Sequence, residues 1–140
     1  MARIDFYVLQ HNSSDARLDF AVKLSQKGLS HQLQILIWLE DHAQASTLDA
    51  KLWQMQPESY LPHALAPASD PAPPIMLSVN QDIPNYRQLL INLHPKPHPN
   101  SADFQRLAEI VIQTPEVLAQ TRANYRHYQA LGHEIFMHNL

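Results

Sequence analysis

The run Leu33-Gln34-Ile35-Leu36-Ile37-Trp38-Leu39 holds one polar residue in seven. A strand turns successive side chains to opposite faces, so a strand that is apolar at nearly every position needs apolar cover on both sides. Such strands sit inside parallel sheets with helices packed over them. Immediately after the run, Asp41 is followed three residues later by Gln44, which resembles a capping box with the Asp as cap. Ala45, Leu48, Leu52 and Met55 then recur at helical spacing. Before the run, residues 3–9 place Ile4, Phe6 and Val8 on one face and Asp5, Tyr7 and Leu9 on the other, the pattern of a strand. Asn12-Ser13-Ser14-Asp15 supplies N-cap chemistry, and Leu18, Ala21 and Val22 continue as a helical stripe. Leu24 falls beside that stripe, where Ser25 takes the next place, and Gly28 stands where a helix is expected to stop. Strand, helix, strand, helix within 55 residues predicts an α/β domain with a mainly parallel central sheet flanked by helices.

Further along, residues 56–74 read as one long loop, a length that is uncommon inside a compact domain and often functional. Residues 75–79 and 88–93 read as two more strands. His94-Pro95-Lys96-Pro97-His98-Pro99 reads as a stiff connector of polyproline character. Residues 107–112 fit strand or helix, and their β-branched end favours a strand. Thr114-Pro115-Glu116 is a helix start with a cap, a proline at the first position and an acid in the first turn. That helix should run to about Leu131 and stop at Gly132, after which residues 133–140 are apolar enough to dock back on the body. No repeat or second domain is visible, so residues 1–140 read as a single domain.

Composition removes several classes of function. The chain has no cysteine, so disulfides, thiolate zinc sites and cysteine nucleophiles are out, and a cytoplasmic setting fits. Ten of its eleven prolines lie between Pro57 and Pro99, which concentrates the irregular backbone there. The net charge of −3 lacks the basic excess of a dedicated nucleic-acid binder. No stretch approaches the ~20 apolar residues that span a bilayer. The N-terminus has no long apolar signal segment, so Asn12-Ser13-Ser14 reads as a turn rather than a glycosylation site.

A Rossmann-like order invites a nucleotide, yet the phosphate cradle needs glycines in the first strand–helix turn. That turn here is Leu9-Gln10-His11-Asn12-Ser13-Ser14, and the chain's two glycines are Gly28 and Gly132. A standard dinucleotide or triphosphate loop, and with it any nucleotide cofactor, is therefore not expected. Among the nine histidines, His94 and His98 are four apart, but Pro95 and Pro97 forbid the helix that would align them, so they read as exposed loop histidines. No metal is expected. Ser59 and His63 are a conceivable nucleophile–base pair on the long loop, and turn residues beside prolines are the plainer reading.

Two clusters stand out. Trp53 lies about 100° round its helix from Leu52, at the edge of the buried stripe, and Tyr60-Leu61-Pro62 follows on the loop. It is either a rim aromatic suited to a protein partner or a ring packed under its own loop. On the last helix, Leu118, Thr121, Tyr125 and Tyr128 form one stripe, with Arg122, Arg126 and Gln129 beside it. A guanidinium fork beside an aromatic edge suits an apolar peptide ending in a carboxylate; a solvated basic face is the alternative.

The segments Leu48-Asp49-Ala50-Lys51-Leu52-Trp53 and Pro57-Glu58-Ser59-Tyr60-Leu61-Pro62-His63 resemble the signature of the chi-subunit family of bacterial DNA polymerase III. The opening Asp5-Phe6-Tyr7 strand, the strand ending Glu40-Asp41, the 88–93 strand, and Arg122, Tyr125 and Tyr128 ahead of Gly132 agree in order, so the resemblance spans the whole chain. It implies a Rossmann-like fold without a nucleotide site and a non-catalytic adaptor of the polymerase holoenzyme in the cytoplasm. Such subunits join the clamp loader through the psi subunit and bind the acidic C-terminal tail of single-stranded-DNA-binding protein, touching nucleic acid only indirectly. By position, Trp53, Tyr60, Leu61, Pro62 and His63 resemble the psi-facing residues. Arg122, Tyr125, Arg126 and Gly132 resemble the tail-binding set, and Leu118 stands where some relatives carry lysine. The rival expectation is a small-molecule-binding or enzymatic α/β domain using His11, Glu40 and His63 at its strand ends.

Overall fold

The apolar run becomes β2 (Ile35–Trp38), with all four residues buried. It lies inside a seven-stranded sheet in the computed structural model, which describes residues 2–54, 63–65, 73–80 and 86–140. In chain order the elements are β1 (Arg3–Val8), α1 (Ser14–Ser30), β2, α2 (His42–Trp53), β3 (His63–Leu65), β4 (Ile75–Ser78), β5 (Leu89–Asn92), β6 (Arg106–Val111), α3 (Pro115–Ala130) and β7 (Glu134–Asn139). The strand order is β3-β4-β2-β5-β6-β1-β7, and every pairing is parallel.

Handedness assigns the helices to faces. The steps β1 to β2 and β2 to β3 move one way along the sheet, and β6 to β7 moves the other way. Right-handed crossovers in opposite directions place their helices on opposite faces. Accordingly α1 and α2 bury Leu18, Ala21, Val22, Ala45, Leu48 and Leu52 against Ile35, Ile37, Leu77, Ile91 and Ile110. On the opposite face Tyr128 of α3 joins Ile4, Phe6, Leu36, Leu90 and Leu107. The connections entering β5 and β6 also travel in the α3 direction, and their Tyr86 and Phe104 are buried on that face.

The caps follow the sequence. Ser13 accepts from the Ala16 amide at 3.1 Å, Asp41 from the Gln44 amide at 2.8 Å, and Thr114 from the Val117 amide at 3.3 Å. Gln44 reaches back to the amide of Glu40 rather than to that of the cap itself. Residues 107–112 are largely strand, as their β-branched end favours.

Three expectations need correction, and the docking of residues 133–140 gains its form. Gly28 is not the end of α1, which continues to Ser30. It is buried inside the helix, where an added Cβ would lie 2.7 Å from Cδ1 of Ile35, so glycine permits a close helix–sheet approach. The long 56–74 loop contains an edge strand, β3. Residues 133–140 do dock back, but as the edge strand β7 beside β1. His98 is no exposed loop histidine: it is buried and its Nδ1 accepts the Asn100 amide at 3.0 Å, while His94 stacks on Trp38 at 3.9 Å. Met55, Ser59, Tyr60, Leu61 and Pro62 lie outside the described residues.

Candidate functional site

Helix α3 presents the first candidate surface. Arg122 and Arg126 are exposed one turn apart, and among the described residues neither guanidinium takes part in an ion pair. Tyr125 is half-buried beside them, its ring 5.8 Å from that of Phe6. Leu118, one turn before Arg122, is half-buried against the same core. Tyr128 does not belong to the surface: it is fully buried, and its hydroxyl donates to Glu109. The helix ends in a Schellman motif, with Gly132 at φ +81°, its amide donating to Gln129 and that of His133 to Tyr128.

Met137, missed in the sequence, extends the apolar side of this surface, whereas Leu131 lies about 180° round the helix from Arg122. Leu131 is 53% exposed at the helix end, and Met137 of β7 is 48% exposed. Met137 is in register with Phe6, so it shares the sheet face on which Phe6 meets Tyr125. The signal was present in the apolar run Ile135-Phe136-Met137, but three consecutive apolar residues carry no period that assigns faces. On the other face of β7, Phe136 lies under the Arg3 guanidinium at 4.2 Å.

The second candidate surface closes α2. Trp53, its last residue, is 59% exposed. Its ring meets that of His63 edge-on at 5.5 Å. Nε2 of His63 is 2.7 Å from Oδ1 of Asp49, one helical turn before Trp53, and the His63 side chain is covered while Asp49 is open to solvent. His63 thus bridges Asp49 and Trp53 from β3 and supports the indole; its own ring does not face outward. Of the patch read from sequence, Trp53 and His63 come together, and Tyr60, Leu61 and Pro62 fall outside the described residues.

The carboxyl ends of β5 and β6 are covered by the protein's own Arg17, whereas those of β2 and β4 border an open pocket lined by Trp38, Asn80, His94 and Lys96. Arg17, in the first turn of α1, is buried and donates from Nε to the Ile110 carbonyl at 2.8 Å and from Nη1 to that of Leu93 at 3.5 Å. Burial draws this guanidinium below its usual range, against the pull of Glu109 and Glu40. The rival trio does not converge. His11 and Glu40 follow β1 and β2 at the carboxyl ends, whereas His63 opens β3 at the amino end of a parallel sheet. Among the described residues no group of three His, Cys, Asp or Glu is placed to hold a metal ion, and no helix is long and apolar enough to cross a membrane.

Residues 1–136 match the family described as DNA polymerase III chi subunit, HolC. The chain belongs to that family. It is 34% identical over 140 residues to the DNA polymerase III subunit chi of Pseudomonas aeruginosa, covering 100% of this chain and 98% of the relative. It is 28% identical over 137 residues to the DNA polymerase III subunit chi of Haemophilus influenzae, covering 96% and 95% respectively. In this chi-family chain the two surfaces lie on opposite faces of the sheet, α2 on one and α3 on the other.

Proposed function

We propose that this chi-family chain is a non-catalytic adaptor, folded as one domain over residues 1–140. Its α2 surface links it to the clamp loader through psi, and its α3 surface takes the C-terminal tail of single-stranded-DNA-binding protein during DNA replication. Work within that holoenzyme places it in the cytoplasm, at the nucleoid. The observation that carries the reading is the pair of solvated guanidiniums of Arg122 and Arg126 flanking the half-open ring of Tyr125. Exposed cations with no ion-pair partner among the described residues have no internal bond to give up before meeting a carboxylate, and an aromatic edge beside them takes an apolar side chain. Met137 widens the apolar part, and Leu118 adds area where a lysine would add charge.

Geometry favours simultaneous rather than alternative binding. The edge strands β3 and β7 are six spacings apart, roughly 29 Å at about 4.8 Å each. Trp53 stands near one edge, and the α3–β7 surface forms the other. A bound tail and a bound psi therefore have no shared footprint.

The test is calorimetric titration with a peptide copying the cognate tail. Arg122→Ala should weaken binding by roughly 1.5–3 kcal/mol, the range for a hydrogen bond to a charged group. Added salt should weaken the wild type, because the tail is anionic and the site is solvated. Equal affinity for wild type and variant rejects the α3 site.

A further inference from the structure

Under the second half of α1 lies a cavity of about 240 Å³ that neither protein-binding surface uses. It follows from two small residues. Gly28 lets α1 press down on Ile35, which fixes the helix height. Toward β6 the floor is Ala108, whose single methyl leaves the space beneath the helix unfilled. Tyr7 and Leu89 complete the floor, and Leu24 forms the helical wall.

The polar part of the lining is cationic. The buried carboxylate of Asp5 accepts from Nε of Arg3 at 3.2 Å and from Nη2 of Arg106 at 3.3 Å, and Nε2 of His138 lies 2.8 Å away. Its charge is therefore matched before any ligand arrives. Of the charged groups that line the cavity, Arg106 and Lys27 against Asp5 leave one positive charge, and both cations are exposed. Among the described residues Arg106 gives Asp5 one of the five donors a guanidinium carries.

We infer that this cavity binds a small organic anion, with a compact apolar body on Leu24, Leu89 and Ala108 and its charged head at Lys27 and Arg106. Size agrees, since an apolar void of about 150 Å³ accepts benzene and this one is larger by room for a head group. Apolar walls with a few convergent polar groups are the usual make-up of a small-molecule site. The head is a carboxylate or a phosphate, which a cationic mouth recognises alike.

The test is an amide NMR titration of the full chain with four probes sharing one ring: benzoate, phenyl phosphate, benzyl alcohol and benzylamine. Benzoate or phenyl phosphate should shift the amides of Leu24, Gly28 and Ala108 and bind about tenfold tighter than the alcohol or the amine. The tighter of the two anions identifies the head group. Lys27→Gln, at an exposed position, should weaken the anions about threefold or more and leave benzyl alcohol unchanged. Ala108→Val should fill the floor and abolish all binding. Equal binding of benzyl alcohol and the anions, anion shifts confined to other amides, or no shift with any probe overturns the site. The tail titration at Arg122 is unaffected either way, so the two readings fail separately.

Discussion

Gln32 and Gly28 exchange the roles their residue types suggest. Helix α1 ends in a Schellman motif, with the Leu33 amide donating to Gly28 and the Gln32 amide to Leu29, and the left-handed position is Gln32 at φ +60°. A side chain there costs on the order of 1 kcal/mol. Gln32→Gly should therefore raise stability by up to about 1 kcal/mol in urea unfolding. Gly28→Ala should do the reverse, by up to about 2 kcal/mol, because displacing Cδ1 of Ile35 outweighs the roughly 1 kcal/mol that Ala gains over Gly within a helix. At the α2 surface, Trp53→Ala should cost about 2 kcal/mol or more in binding psi while leaving the melting temperature nearly unchanged, since the indole is mostly solvated. His63→Ala should weaken the same binding less, because it removes only the support beneath the ring. Unchanged co-purification of Trp53→Ala with psi would set the α2 assignment aside.

At the scale of elements, β7 ties the end of the chain to its beginning. Nδ1 of His133 accepts the Ala2 amide at 3.0 Å, and His138 lies against both Asp5 and Tyr7. Removing residues 133–140 should leave β1 as a naked edge and Asp5 short of one partner, giving a less stable chain that aggregates. A soluble, monomeric truncation on size exclusion would contradict this. Elements with cover on both faces were legible: β2 from its unbroken apolar run, and the helix starts from Ser13, Asp41 and Thr114, whose short polar side chains precede periodic apolar residues. The edge strands were not. β3 is three residues within a proline-rich stretch, and β7 is open on both faces, so neither shows the alternation that one-sided burial imposes. The α3 site was half legible. Spacing put Arg122, Arg126 and Tyr125 together, but it could not separate Tyr125 at the margin from Tyr128 in the core, nor add Met137 from a distant strand. Gly28 was misread because a glycine near the end of a helical pattern serves equally as a stop and as a point of close packing.

For the molecule as a whole, a buried acid and a buried base on the α3 face of the sheet pull stability in opposite directions with pH. Glu109, sealed under α3, accepts from Tyr128 and from Asn92, and burial still pushes its carboxyl up to about 7. The folded state then holds a proton that the unfolded chain releases above about pH 4.5, so stability falls as pH rises through 7. His98 works in the other sense. Burial, with His94 and Arg87 nearby, lowers it to about 4, so the unfolded chain binds a proton first as pH falls below 6.5. Asp5 is held below its usual value: burial opposes this, but His138, Arg106 and Arg3 prevail, so its support is lost only in stronger acid. Below about pH 6.5 the Glu109 and His98 slopes oppose one another; above it Glu109 acts without His98. Stability should drop by roughly 1 kcal/mol between about pH 6.5 and 8, and Glu109→Gln should flatten that limb. Urea unfolding across the range checks the sign.

Strand β1 waits longest for its neighbours. It is the earliest strand of these 140 residues, yet both strands that flank it come from residues 106–139. Until residues 106–139 are made, β1 has no strand to pair with, and contacts this distant in sequence fold slowly and leave an open edge meanwhile. That side of the sheet is therefore closed by its most distant contacts, and a chain stopped before residue 106 keeps β1 unpaired.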